Sequence, residues 1–181
     1  MGKVHHVPSR TYLLQYNNRQ LVCFFDDACY QYFLVRLFNS LNQFHVDLHA
    51  YCLVAKDIYL LLSPVTPYGI NNLWKSTTEQ YNSYFTARFG RSIRIINKPY
   101  KTIETSPSNS ALEAQKTIER IPLDIREAEN PGTYRWSSYC DNGFGNNDSW
   151  LKPHPEYRQF LRENNHPYSK YREFIAMPAR S

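Results

Sequence analysis

Metal-ligand spacing is missing from this chain of 181 residues. Cys23, Cys29, Cys52 and Cys140 include no CxxC pair and fall into no His/Cys ligand pattern, which argues against a zinc finger or ribbon. The histidines supply none either: His5 and His6 lie in the N-terminal tail, His154 and His166 in proline-rich stretches, and His45 and His49 flank a strand-like segment. No apolar run is long enough to span a bilayer, and no charged segment leading into an apolar core, the pattern of a secretory signal, opens the chain. A cytoplasmic setting with free thiols and no membrane contact is therefore expected. Internal repeats and low-complexity tracts are absent as well.

Against these absences, hydrophobic residues make up 42% of the chain and aromatic residues 15%, which excludes a disordered chain and suits one well-buried domain rather than two. Most of the fifteen tyrosines must be structural, because a ring with a polar tip fits a half-buried surface. The formal charge of +5 permits nucleic-acid binding without requiring it. Its distribution says more. Between Thr86 and Lys101 stand Arg88, Arg91, Arg94, Lys98 and Lys101 without one acid, interleaved with Phe89, Ile93, Ile95, Ile96 and Tyr100. Such a stretch can track a phosphate backbone with an aromatic available for stacking, or form a solvated edge strand blunted by charge.

Period and punctuation give the order of elements. Thr11–Tyr16 reads as a strand running into the polar turn Asn17, Asn18, Arg19 and Gln20. Asp26 and Asp27 cap a helix near Ala28–Asn42, whose apolar residues recur at helical spacing. Strands follow near His45–Val54 and Ile58–Ser63; their alternation is imperfect, and the Leu60, Leu61, Leu62 run implies burial on both faces. A second helix is expected over Asn71–Ala87, a fourth strand over Ser92–Ile96, a third helix over Ala111–Ile121, and short helices near Glu156–Glu163 and Ser169–Ile175. Strand, helix, strand, strand, helix, strand is the split βαβ, ferredoxin-like α+β plan, an antiparallel sheet with helices on one face. The expected division is a tail over 1–9, the main domain over 10–140, and an extension over 141–181 packed on that domain.

Four pieces in a common order carry a resemblance: Asn17-Asn18-Arg19-Gln20; the block from His49 to Leu62; Tyr84-Phe85 followed by Arg88-Phe89-Gly90-Arg91; and Tyr134-Arg135-Trp136-Ser137-Ser138-Tyr139. Over roughly residues 10 to 176 the chain resembles the single-tyrosine HUH nucleases, which include the REP-associated tyrosine transposases. In that family the strand block ends in His-apolar-His, whose imidazoles project from one strand face and hold a divalent cation against the scissile phosphate. Here those positions read Asp57 and Tyr59. The resemblance also implies a helix with a nucleophilic tyrosine, a metal-ligating residue four positions later and then a proline. Counting back from Trp136 places these at Thr117, Ile121 and Pro122, so only the proline is retained, and no tyrosine lies between Tyr100 and Tyr134.

The family implies binding of single-stranded DNA folded into hairpins and attack of a tyrosine hydroxyl on phosphorus, a reaction that needs nucleophile and metal together. Replacement at Asp57, Tyr59, Thr117 and Ile121 implies a DNA-binding, regulatory or accessory protein without cleavage chemistry or cofactor. One alternative is an active enzyme using Mg or Mn at Asp57 with a displaced tyrosine, Tyr81, Tyr84 or Tyr100. Another is a protein-interaction domain that has lost nucleic acid. Candidate nucleic-acid contacts are Asn17, Asn18, Arg19, Gln20, Arg88, Arg91, Arg94, Lys98 and Lys101; the asparagines equally suit turn chemistry. Trp136, Ser137 and Ser138 read as a structural clasp. Monomer and homodimer both stay open.

Overall fold

The computed structural model describes residues 5–18, 20–90, 94–97, 99–108, 110–146 and 150–178. In chain order they form β1 (Tyr12–Asn17), α1 (Asp27–Phe44), β2 (Val46–Val54), β3 (Asp57–Pro64), α2 (Gly69–Phe89), β4 (Lys101–Glu104), α3 (Ala111–Asp124), α4 (Tyr139–Phe144), α5 (Pro155–Glu163) and α6 (Pro167–Ala176). The strands make one antiparallel sheet in the order β2-β3-β1-β4, so β3 lies between β1 and β2 as the split βαβ plan requires. The Asp26 side chain caps α1 by accepting from the Cys29 N–H, and Gly90, at φ 63°, closes α2 in the left-handed conformation that glycine tolerates.

The fourth strand is not at Ser92–Ile96. Ser92 and Ile93 lie outside the described residues, and 94–97 is irregular. Ile95 and Ile96 are both buried, so the segment does not alternate, and side-chain amides take the backbone groups a ladder would have used. Asn82 donates to the Ile96 carbonyl at 2.9 Å and accepts from the Ile96 N–H at 3.0 Å, while Asn18 donates to the Ile95 carbonyl at 2.9 Å. The edge strand is instead the four-residue β4, paired with β1.

Both faces of the sheet are covered, unequally. Leu14, Tyr16, Ile58, Leu60 and Leu62 face α1 and α2 in the main core, and this is the helical layer expected of the βαββαβ plan. Leu13, Ala50, Cys52, Val54 and Leu61 face the other way, against Ala111, Ala114 and Ile118 of α3. The imperfect alternation of β2 has a cause: a register shift between Leu48 and Ala50 puts those two residues on opposite faces, as a bulge at His49 does. Behind α3, a third cluster of Tyr139, Tyr157, Tyr171 and Ile175 joins α4, α5 and α6.

The Trp136–Ser138 segment is the clasp expected of it. Ser137 bridges Cys52 on the outer edge of β2, the Leu53 N–H donates to the Trp136 carbonyl at 2.9 Å, and the Ser138 N–H donates to the Tyr51 carbonyl at 2.9 Å. Trp136 stacks on Tyr30 with ring centroids 4.8 Å apart, which fastens the clasp to α1.

Candidate nucleic-acid interface

Asp57 and Tyr59 sit on the α3-side face of β3, as their spacing requires. Tyr59 packs against the apolar cluster under α3, and its hydroxyl accepts from the Asn17 amide at 3.3 Å. Burial raises the Tyr59 phenol above its ordinary value, so it is neutral at physiological pH. Ile121 packs on the same cluster. Thr117 is exposed, and its hydroxyl donates to the Glu113 carbonyl at 2.9 Å, the back-bond usual for a mid-helix threonine. These donors do not suit a divalent cation: one carboxylate, one neutral phenol and one hydroxyl turned to its own backbone, with Ile121 offering none. Among the described residues no group of three or more His, Cys, Asp and Glu side chains is placed to hold a metal.

The displaced-tyrosine alternative meets a geometric obstacle. Tyr81 belongs to the main core, and Tyr84 and Tyr100 pack against it, so all three lie across the sheet from Asp57. Tyr81 is fully buried and donates to the Cys23 carbonyl, Tyr84 stacks on Tyr32 at 3.9 Å, and Tyr100 donates to Asn71 at 2.8 Å.

The basic stretch is not one ribbon. Arg88, at the end of α2, makes two bonds to Asp26, at 2.6 and 2.9 Å, and clips α2 to the start of α1; the guanidinium holds the Asp26 carboxyl below its usual range. Its charge is thereby matched. Arg94 and Lys101 are exposed and have no ionic partner among the described residues, whereas Arg19, Arg91 and Lys98 fall outside them. The four-residue polar run divides as well. Asn18 is 1% exposed; it donates to the Ile95 carbonyl and accepts from the N–H groups of Gln20 and Leu21. Asn18 therefore braces the turn, its side-chain amide bonded to three backbone groups and to the Cys23 sulfur. Asn17 and Gln20 are exposed.

What remains open is the β1–β4 half of the α3-side face beyond Leu13, which α3 covers. α3 packs on β2 and β3, and in the row Cys52, Tyr59, Gln15, Lys101 across the four strands exposure rises from buried to half-buried to exposed. The next row places Asn17 beside Asp57, and the one on the other side ends at Ile103, 44% exposed.

Two polar clusters escaped the sequence analysis. Glu119, on α3, is fully buried and accepts from Ser138 at 2.6 Å, Asn142 at 2.7 Å and Tyr171 at 2.7 Å; burial pushes its carboxyl up to about 7. The available signal was its place on the inward stripe with Ala111, Ala114, Gln115 and Ile118. The second cluster begins at His49, whose Nδ1 faces the Lys152 carbonyl and so carries the proton. Nε2 must then accept from Ser63 (2.8 Å), Ser63 from Thr11 (2.8 Å) and Thr11 from His154 Nε2 (3.0 Å), while His154 Nδ1 accepts the Glu156 N–H (3.2 Å). Both ends fix one direction for every proton. The cluster lines a cavity of about 270 Å³ together with Asp47, Lys152 and Arg158. Burial lowers His49 to about 4 and lowers His154 as well.

Among solved structures, one of a REP-associated tyrosine transposase bound to a REP hairpin matches with a TM-score of 0.64 and 10% identity, covering 83% of this chain and 88% of that one. The two proteins share a fold. No family model matches the sequence, and no curated protein does. The structural match establishes the fold relationship that the four sequence pieces implied. No helix among the described residues is long and apolar enough to cross a membrane.

Proposed function

We propose that this protein binds single-stranded or hairpin DNA on the open half of its sheet, without cleaving it, in a regulatory or accessory role. The observation that carries the reading is the pairing of a hairpin-binding transposase fold with a site whose chemical positions have turned to packing: Tyr59 and Ile121 rest on one apolar cluster and Thr117 bonds to its own helix. Phosphodiester transfer needs a nucleophile and charge stabilisation at phosphorus together. A surface holding Asn17, Gln15 and Lys101 can still grip a strand.

Incubated with hairpin-bearing single-stranded DNA in Mg or Mn, the protein is expected to give a retarded complex on native gels and no covalent adduct on denaturing gels. An adduct abolished by mutation of a single tyrosine would overturn the loss of cleavage and restore the enzyme reading. Binding should also depend on salt. Each phosphate neutralised on a single strand contributes roughly 0.7 to the slope of log affinity against log salt, so Arg94→Ala with Lys101→Ala is expected to flatten that slope by about 1.4. An unchanged slope in the folded double variant would remove these two residues from the interface.

A further inference from the structure

Tyr59 brings an aromatic ring to the α3-side face of the sheet, and the strand register sets that ring in a particular company. Tyr59 lies on a central strand of a ferredoxin-like sheet, directly opposite Gln15 on the other central strand, which in turn is opposite Lys101 on the edge. Residues opposite one another on antiparallel strands share a face, and strands lie about 4.8 Å apart. The row therefore runs ring, amide, ammonium from backbone positions spread over about 10 Å. The Asn17 amide holds the Tyr59 hydroxyl at 3.3 Å and fixes the direction of the ring.

We infer that Tyr59 is a base-stacking platform for single-stranded nucleic acid, with Lys101 at the phosphate of the stacked nucleotide and the amides of Gln15 and Asn17 at base edges. The inference rests on the nucleic-acid reading above and names how that surface holds its ligand. Aromatic rings on a β-sheet are a common means of holding unpaired bases, because every base offers a π-face whatever its sequence, and Tyr59, packed on the α3-side cluster, is half-buried and not closed off. Two features favour a strand of nucleic acid over a protein partner. From Tyr59 outward the row is polar apart from the ring. Its outer end carries a positive charge in Lys101 that has no ionic partner among the described residues. Asp57 fits the same occupant: its carboxylate, next along β3, can accept from the exocyclic amino group of cytosine, the pairing expected of an acidic side chain at a base edge.

The test uses the full chain and a ten-nucleotide oligonucleotide carrying one 5-iodouracil, with affinity measured by anisotropy and the cross-linked residue identified by mass spectrometry. Tyr59→Phe and Tyr59→Trp should bind within about twofold of wild type, whereas Tyr59→Leu, which keeps the apolar packing, should lose about 5- to 150-fold, the range measured for one stacked base. Photo-cross-linking should fall on Tyr59. If the wild-type protein binds the oligonucleotide while Tyr59→Leu binds equally well and cross-links fall elsewhere, stacking at Tyr59 is overturned and nucleic-acid binding survives. If the wild-type protein binds neither this oligonucleotide nor hairpin DNA at low salt, both readings are overturned together.

Discussion

Glu119→Ala is expected to cost about 3 to 5 kcal/mol of folding stability, the range for removing one member of a buried charged network. The substitution takes from Tyr171 its acceptor and leaves Ser138 and Asn142 only their longer bonds to the Tyr51 and His49 carbonyls, all in a fully buried site, and it opens a cavity among α3, α4 and α6. Ser138 belongs to the clasp on β2, so the loss reaches the sheet edge as well. Glu119→Gln should be far milder. Its carbonyl can accept from Ser138 and Asn142, and its amide can donate to Tyr171. The Tyr171 hydroxyl can then donate to the Oε1 of Gln115, unpartnered in the native arrangement, once the Gln115 amide flips and withdraws the bond it donates to Tyr171. Urea unfolding of the two variants checks this. Equal losses would show that charge, not acceptor geometry, holds the cluster.

The same substitution exposes a pH dependence that wild-type protein hides. His49 drops from 6.5 to about 4 on folding, so its contribution is complete above pH 6.5 and is lost as pH falls toward 4. At 1.36 kcal/mol per unit that amounts to about 3 kcal/mol. Glu119 runs in the opposite sense: its carboxyl rises from 4.5 to about 7, so its contribution is complete below pH 4.5 and is lost as pH rises through 7. Between pH 4.5 and 6.5 the two slopes oppose each other. Glu119→Gln should therefore lose about 3 kcal/mol between pH 6.5 and 4, beyond the change in wild type, and the loss should vanish when His49→Gln is added. Protonated His49 would lose its hydration, would have to donate from Nε2 to Ser63, which reverses the fixed direction of the hydrogen-bonded chain, and would face His154 and the Lys152 ammonium, against which the Lys152 carbonyl and Asp47 compensate only in part. An NMR titration that placed the His49 imidazole at its ordinary value would contradict this account.

Much of the fold was legible because its signals are local. Asp26 ahead of a helical apolar period marked α1, and the Leu60–Leu62 run implied the two-sided burial that Leu61, facing α3, and its neighbours, facing α1 and α2, display. Thr117 was legible for the same reason, since its hydroxyl bonds within its own helix. The fourth strand was not. Ile95 and Ile96 have strand-like chemistry, but whether their backbone groups join a ladder depends on Asn82 and Asn18, 14 and 77 residues away from the groups they bond. Glu119 was hidden in the same way. A carboxylate on a helix is ordinarily solvated, and its burial here depends on donors 19, 23 and 52 residues further along the chain. The site fared likewise: that Asp57 and Tyr59 share a strand face followed from their spacing, whereas the pairing that lines Tyr59 up with Gln15 and Lys101 required the register of three strands.

The clasp also limits how copies of this protein can associate. A sheet with two free edges can add neighbours on either side and grow into a filament. In this sheet the protein's own Trp136–Ser138 segment occupies the outer edge of β2 at Tyr51–Leu53, and among the described residues β4 pairs only with β1. Among the described residues, an incoming strand thus finds β4 open and the second half of β2 taken. Two copies meeting through β4 would form a two-fold pair with a clasped β2 at each outer end.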